Sequence, residues 1–249
     1  LSPITNLRGS KMKQAIIIGA SSGIGWELAV QLAAKGYQLG LMARRRHCLD
    51  DLVAQLPGEH FIQTTDLCVA EQAQEELTSL IKLMGDVELI VVNSGVGTKE
   101  RLLDWQVERE MIDVNVRGFA AMSLTAMNYF IERKAGHLAG VSSCAAHFSA
   151  GITPTYNATK AFASNYLNGL RSRAAHSKLP ITVTTIEPGF VETPMVEGKP
   201  MWLAPIGKSV AHMVKGLMDK KGHIFITKRW RWVALLLDIM PNWLIRKFM

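Results

Sequence analysis

The chain has 249 residues, three cysteines and a formal net charge of +7 at pH 7. This length suits one α/β domain whose core needs no disulfides, and three scattered cysteines without a CxxC pair indicate reduced thiols. Only the ends are basic: residues 1–13 carry three cations, residues 228–249 carry five cations and one acid, and residues 14–227 are neutral. A neutral body argues against nucleic acid as a partner, and the histidine and cysteine spacing predicts no metal site.

Composition divides the chain into three segments. Residues 1–11 are polar and lack the apolar core of a signal peptide, so we expect a loose leader or an expression remnant there. Residues 12–227 are expected to form a single folded domain, and residues 228–249 a basic, amphipathic tail. No uninterrupted apolar run reaches the roughly 18 residues that a membrane-spanning helix needs.

Short apolar β-type runs alternate with helical patterns through the central segment. This alternation predicts a doubly wound parallel sheet of about seven strands, with helices on both faces. The predicted strands are 14–18, 38–42, 60–64, 88–92, 136–141, 182–186 and 223–226. The predicted helices include 26–34, 46–55, 70–84, 101–114, 120–133, 159–175 and 206–219.

A glycine-rich turn, residues 19–25, joins the first predicted strand to the first predicted helix. Glycines let the backbone turn sharply and approach a ligand, and the helix start directs N–H groups toward a phosphate. No Lys-Ser/Thr pair follows, so the turn is not a P-loop. The predicted cofactor-binding residues here are Gly19, Ser21, Ser22, Gly23, Ile24 and Gly25.

The second predicted strand runs into Arg44 and Arg45. In a dinucleotide fold this strand end meets the adenosine ribose, where an acidic residue would bind the free hydroxyl of NAD. Arginines instead suit a 2′-phosphate, which predicts NADP(H) as the cofactor. The alternative is a solvated basic start to the next helix.

The ends of the third and fourth strands carry further candidates for cofactor contacts. Asp66, followed by Leu67, could accept a hydrogen bond from the adenine amino group, or could cap the helix that begins near Ala70. The small residues Asn93, Ser94 and Gly95 let the backbone pass close to a ligand, although an ordinary turn has the same composition.

The fifth strand is followed by Ser142 and Ser143, and then by a predicted helix carrying Tyr156 and Lys160. Tyrosine and lysine four residues apart share one helix face, which is also common on ordinary surfaces. As a unit they carry chemistry: a serine holds a substrate oxygen, tyrosine exchanges a proton with it, and the ammonium lowers the tyrosine pKa. Asn115, in a helical stretch, indicates nothing by itself.

Together these motifs resemble the short-chain dehydrogenase/reductase family over residues 14–227. The family pattern T-G-x-x-x-G-x-G matches the three glycines of the turn, with Ile18 in place of threonine. The N-N-A-G element is present with Val92 in place of its first asparagine. Both departures fall at the contact between the first and fourth strands.

The resemblance implies a catalytic tetrad of Asn115, Ser143, Tyr156 and Lys160, with Ser143 preferred to Ser142 for its distance to the tyrosine. It implies that Lys160 binds the nicotinamide ribose, that Asn115 positions a water in a proton relay, and that the protein is a homodimer or homotetramer. The family's P-G-x-x-x-T loop, which holds the nicotinamide carboxamide, is matched by Pro188, Gly189, Val191 and Thr193.

The expected activity is hydride transfer between NADP(H) and a carbonyl or secondary alcohol, within a catalytic domain spanning 12–227. The segment 194–205 resembles the family's substrate lid, and its large apolar residues predict a partly apolar substrate. The alternative is a non-catalytic NADP(H)-binding sensor or scaffold, which would not need Tyr156 and Lys160 together.

The tail 228–249 is not explained by the resemblance. Three of the six tryptophans and five basic residues lie in it, and Pro241 divides its apolar part. This composition predicts two short helices at a membrane interface, on an otherwise cytoplasmic protein. The alternatives are packing on a partner subunit and closure over the substrate pocket.

Overall fold

The computed structural model describes residues 12–97, 104–149, 151–196, 198 and 200–241. Seven parallel strands form one sheet in the order β3-β2-β1-β4-β5-β6-β7. The strands are β1 (Lys13–Ile18), β2 (Tyr37–Ala43), β3 (Phe61–Thr64), β4 (Leu89–Val92), β5 (Gly136–Val141), β6 (Ile181–Pro188) and β7 (His223–Ile226). The prediction of a doubly wound parallel sheet is confirmed.

Helices cover both faces of this sheet. They are α1 (Gly23–Ala33), α2 (Arg46–Val53), α3 (Ala70–Met84), α4 (Trp105–Ile112), α5 (Phe119–Arg133), α6 (Pro154–Ser177), α7 (Ile206–Met218) and α8 (Trp230–Ile239). A π-helical turn, Asp113–Gly118, joins α4 to α5, and a 3₁₀ turn, Cys144–His147, follows β5. No helix within the described ranges is long and apolar enough to cross a bilayer.

Two helix starts differ from the sequence prediction by four or five residues, and both differences have local reasons. The α6 helix begins at Pro154, five residues before the predicted start, because proline has the fixed φ that suits a first helical turn. The α4 helix begins at Trp105, where the Asp104 side chain accepts a hydrogen bond from Gln106 N at 2.7 Å. The predicted start of that helix at 101–103 lies outside the described residues.

The strands separate two apolar cores, one on each side of the sheet. In β1 the side chains alternate: Ala15 and Ile17 enter one core, whereas Ile16 and Ile18 enter the other. All four are fully buried, as expected for a parallel strand covered by helices on both faces. The strand order reverses between β1 and β4, so a crevice opens at the carboxyl ends of these strands.

The tail is partly described and begins with α8. Trp230 and Ala234 on one side of this helix are buried against the domain. The opposite side exposes Trp232, Leu235, Leu236 and Ile239. The second short helix that the sequence predicts, after Pro241, lies outside the described residues.

Candidate active site

A cavity of about 810 Å³ opens at the carboxyl ends of the strands. It is lined by most of the residues predicted for the site: Gly19, Ser21, Ser22, Gly23, Ile24, Arg44, Arg45, Asp66, Leu67, Asn93, Ser94, Gly95, Ser143, Tyr156, Lys160, Pro188, Gly189, Val191 and Thr193. Gly25 and Asn115 do not line the cavity, but they contact Gly19 and Val96, which do. The fold therefore gathers residues from six strand ends around one space.

The glycine-rich turn forms one end of the cavity, and its glycines are required by close packing. Gly19 has φ +91°, and a Cβ there would lie 2.6 Å from Ser94 N. A Cβ on Gly25 would overlap the Gly19 carbonyl oxygen and lie 2.6 Å from Asn93 Nδ2. Ser22 precedes α1 without capping it through its side chain, and no acidic residue lies in the first helical turn. The N-terminal N–H groups of α1 thus suit the diphosphate of a dinucleotide.

The two predicted arginines lie beside this turn but have different partners. Arg45 Nη2 donates hydrogen bonds to Ser21 Oγ and Ser22 Oγ, both at 3.0 Å. Arg44 Nη1 pairs with Glu110 Oε1 at 3.2 Å, and both side chains are exposed. Arg45 is therefore held against the glycine-rich turn. Arg44 would have to leave its carboxylate partner, Glu110, before it could bind a phosphate.

Asp66 does not cap α3, whose N-cap residue is Val69. The carboxylate instead accepts a hydrogen bond from Cys68 N at 3.0 Å, which closes the turn after β3. The capping alternative is therefore wrong, and the position of Asp66 at the cavity leaves an adenine contact as a prediction.

The ends of β1 and β4 are joined by backbone hydrogen bonds. The amides of Asn93 and Ser94 both donate to the Ile18 carbonyl oxygen at 2.9 Å, and Asn93 Nδ2 donates to the Gly19 carbonyl oxygen at 2.8 Å. Ile18 and Val92, the two departures from the family pattern, are register partners and belong to the same buried core. An apolar pair thus replaces a polar one.

Ser143 and Tyr156 meet at the other end of the cavity. Ser143 Oγ accepts a hydrogen bond from Ala145 N at 3.1 Å and lies 3.4 Å from the Pro188 carbonyl oxygen. Ser142 Oγ donates a short hydrogen bond to the Lys160 carbonyl oxygen at 2.8 Å, whereas the hydrogen bond that Ser143 Oγ donates to the Pro188 carbonyl oxygen is long, at 3.4 Å. This difference favours Ser143 as the residue that holds a substrate oxygen.

Lys160 is 6% exposed and lies beside the tyrosine. Its Nζ donates to the Val141 carbonyl oxygen at 3.2 Å and lies 5.7 Å from the centroid of the Tyr156 ring. Burial lowers the pKa of Lys160 to about 8. Burial also raises the pKa of Tyr156, although its hydrogen bond with Ser143 acts in the opposite direction. The expected lowering of the tyrosine pKa is therefore not found, because desolvation outweighs the hydrogen bond with Ser143.

Asn115 lies in the π-helical turn, and its side chain is fully engaged. Its Oδ1 accepts from Val96 N at 2.8 Å, and its Nδ2 donates to the Val96 carbonyl oxygen at 2.7 Å and to Thr159 Oγ1 at 3.2 Å. These bonds fix the loop after β4 against α6. The sequence could not reveal this role, because it depends on contacts between distant segments.

One wall of the cavity is apolar, and the sequence predicted this wall only in part. Trp230 from the tail lines the cavity, with its ring edge-to-face on Phe190 at 5.8 Å and on Trp202 at 5.7 Å between centroids. A Cβ on Gly189 would overlap the Trp230 indole, so glycine is what lets the indole lie there. Trp230 thus closes part of the cavity, which is one of the three roles that the sequence leaves open for the tail.

The sequence matches the family model described as short chain dehydrogenase over residues 13–204. The chain belongs to the short-chain dehydrogenase/reductase family. A Myxococcus xanthus (strain DK1622) protein, an uncharacterized oxidoreductase, is 33% identical over 241 residues, which cover 92% of this chain and 93% of that protein. The resemblance predicted from the motifs is confirmed, and the chain is an oxidoreductase of this family.

Solved structures agree with the fold and differ in their cofactor. An alcohol dehydrogenase from the archaeon Thermococcus sibiricus, complexed with 5-hydroxy-NADP, has a TM-score of 0.76 at 26% identity, over 86% of this chain and 96% of that one. A Burkholderia phymatum family member in complex with NAD has a TM-score of 0.81 at 20% identity, over 90% and 92% of the two chains. The second likeness shows the fold alone.

Proposed function

We propose that this oxidoreductase transfers a hydride between NADP(H) and a carbonyl or secondary alcohol of a partly apolar substrate. The observation that carries the proposal is the meeting of Ser143, Tyr156 and Lys160 in one cavity with the glycine-rich turn and Arg45. When bound, the nicotinamide supplies or accepts the hydride. The residues of the chain then have to place the substrate oxygen and exchange one proton with it.

Tyr156 is the proton donor in reduction and the proton acceptor in oxidation. Ser143 Oγ holds the substrate oxygen and stabilises the charge that develops on it. Lys160 binds the nicotinamide ribose, and its cation favours the tyrosinate form. Because the Asn115 amide is bonded to Val96 and Thr159, a water in the proton relay would have to be held by the Asn115 backbone.

Preference for NADPH over NADH follows from the two arginines. Arg45 is held by two serine hydroxyls beside the turn, so a 2′-phosphate would find a cation already positioned there. Arg44 can join it after leaving Glu110, an exposed pair of the kind that contributes little to stability. Cofactor contacts remain predictions at five further residues that line the same cavity: Asp66, Leu67, Pro188, Val191 and Thr193.

A non-catalytic NADP(H)-binding protein is the second candidate, and the lysine argues against it. Burying an ammonium costs free energy, and Lys160 has a single backbone carbonyl as its hydrogen-bond acceptor. A protein that only binds the dinucleotide could use Lys160 at the nicotinamide ribose, but it has no use for a tyrosine and a serine together with this lysine. Steady-state assays of aryl and alkyl ketones with NADPH and NADH decide between the two. Binding of NADPH without turnover of any carbonyl would favour the second candidate.

We also propose that the exposed side of α8 contacts an anionic membrane surface. Trp232, Leu235, Leu236 and Ile239 are all more than half exposed, and Arg231 lies among them on the helix. The only acid of the tail, Asp238, is paired with His147 of the domain. An apolar surface flanked by cations suits anionic lipid.

Co-sedimentation with phosphatidylserine vesicles tests this contact. The variant Trp232→Ser/Leu236→Ser should partition less than the wild type, whereas Leu83→Ser, at an exposed leucine of α3, should partition like the wild type. Equal partitioning of all three proteins would remove the support for a membrane contact. Assembly into a homodimer or homotetramer stays a prediction, and light scattering measures it directly.

A further inference from the structure

A buried carboxylate, Glu187, connects the elements around the substrate end of the cavity. Glu187 is 0% exposed and lies at the end of β6, directly before Pro188. Its Oε2 accepts hydrogen bonds from His147 Nε2 at 2.8 Å and His223 Nε2 at 2.9 Å, and its Oε1 accepts from Ser164 Oγ at 2.6 Å. A buried charge is tolerated when it is paired and hydrogen-bonded in this way.

His147 extends this network to the tail helix. Its Nδ1 lies 2.8 Å from Asp238 Oδ1 of α8, while its Nε2 faces Glu187. An imidazole can donate from both nitrogens only when it is protonated, so the ring bridges two carboxylates as a cation. We call Asp238, His147 and Glu187 the α8 clamp. No group of three or more potential ligands among the described residues could hold a metal ion.

The clamp and the pocket wall lie at opposite ends of the same short helix. Trp230 begins α8 and Asp238 lies eight residues later, a separation of about 12 Å at 1.5 Å per residue. Between these ends only Ala234 is buried. The helix α8 is therefore attached at both ends, by the indole on Gly189 and by the carboxylate on His147, with Ala234 packed between them.

We propose that Asp238 is a positioning residue that acts through His147 to hold Trp230 as the wall of the substrate pocket, and that it thereby sets how strongly the pocket favours an aryl ketone over a small ketone. This inference rests on the proposed function. The family match ends at residue 204, so both Trp230 and Asp238 belong to the part of the chain that the match does not cover. His147 lies four residues after Ser143, which ties the clamp to the catalytic end of the cavity.

Substrate discrimination tests the proposal. Asp238→Asn keeps the size of a half-exposed side chain and should raise KM for an aryl ketone about fivefold or more, with kcat and the KM for acetone within about twofold. The matched control is Asp219→Asn, at an exposed acid that directly follows α7 and pairs loosely with Lys221 at 3.8 Å. An equal effect on both ketones, or an equal effect of the control, would overturn the proposal.

A double-mutant cycle shows whether Asp238 acts through the indole. If it does, Asp238→Asn should add less than about twofold to the aryl-ketone KM once Trp230→Ala is present, because the wall is already lost. Additive effects of the two substitutions would mean that the carboxylate acts independently of the pocket wall, which contradicts the proposal.

Hydrogen exchange of the full chain separates this inference from the proposed function. Asp238→Asn should raise amide exchange in Trp230–Ile239 and leave β5 and β6 unchanged, whether or not a substrate is known. If the wild type reduces no carbonyl, the proposed function fails while exchange still reports on the clamp. Unchanged exchange in α8 would overturn the clamp even in a fully active enzyme.

Discussion

Replacing His147 with glutamine should destabilise the protein strongly below pH 6.5 and much less above pH 9. The pKa of His147 is raised from 6.5 to about 9, chiefly by its hydrogen bond to Glu187 and further by the bond to Asp238, although burial opposes the shift. Glutamine can replace one hydrogen bond but cannot carry the charge. The loss therefore has an electrostatic part that depends on pH.

Two estimates give the size of the effect. At ~1.4 kcal/mol for each pKa unit, the rise at His147 corresponds to about 3 kcal/mol of stability. Breaking a buried pair by removing one partner costs about 3–5 kcal/mol, and here Glu187 keeps His223 and Ser164 as partners. We expect a loss of about 2–3 kcal/mol, which lowers the Tm by about 5–10 °C for a domain of this size.

The direction of the pH dependence follows from the linkage of protonation to folding. The folded pKa of His147 lies above its unfolded value, so its contribution is complete below pH 6.5 and is lost as pH rises through about 9. Burial acts to raise the pKa of Glu187, but its hydrogen bonds with His147, His223 and Ser164 together lower it from 4.5 to about 2. Its contribution is present above pH 4.5 and is lost only as pH falls through about 2.

Urea unfolding followed by circular dichroism, below pH 6.5 and above pH 9, measures the difference between His147→Gln and the wild type. The control is His176→Gln, since His176 is exposed on α6 and is bonded through Nδ1 to the Ser172 carbonyl oxygen. A stability difference between His147→Gln and the wild type that stays constant with pH would refute the assignment of His147 as a bridging cation.

Three further predictions concern the cavity itself. Tyr156→Phe should lower kcat by at least about a hundredfold in a steady-state ketone assay and leave NADPH affinity within about twofold; more than about a tenth of wild-type activity would contradict its role in proton transfer. Arg45→Ala and Arg44→Ala should each cost about 1.5–3 kcal/mol of NADPH affinity in fluorescence titrations, and an equal cost for NADH would refute the assignment of a 2′-phosphate contact. Gly25→Ala should abolish dinucleotide binding while far-ultraviolet circular dichroism stays native, because the added Cβ would overlap the Gly19 carbonyl oxygen; retained binding would contradict this account of the turn.

The sequence predicted what depends on local pattern. Buried β-branched runs such as β1 and β4 identified the sheet, and the glycine turn and the Tyr156–Lys160 pair identified one end of the cavity each. Their spacing is specific because a strand, a turn and a helix must follow in that order to direct N–H groups at a phosphate. The helical pattern of residues 70–84 likewise predicted the start of α3 at Ala70.

Features that depend on contacts between distant segments were not predictable. The α8 clamp joins residues that are 40 and 91 positions apart in the chain, and each of its members is unremarkable in its own neighbourhood. The pKa of Tyr156 rises because burial outweighs the hydrogen bond with Ser143, a balance that only the packed structure determines. Asp66 was ambiguous for the opposite reason, since accepting a hydrogen bond from an adenine amino group and capping a helix require the same residue type.

The replacement of a polar pair by Ile18 and Val92 makes these two positions epistatic. Both side chains are fully buried in one core and are paired across adjacent strands. Restoring threonine alone at position 18 would bury a hydroxyl opposite a valine, at a cost of about 1–3 kcal/mol if it finds no partner. Restoring asparagine at 92 as well would supply one, so the double variant should be more stable than the sum of the single effects predicts. Substitutions taken from relatives should therefore be transferred to this chain at both positions together.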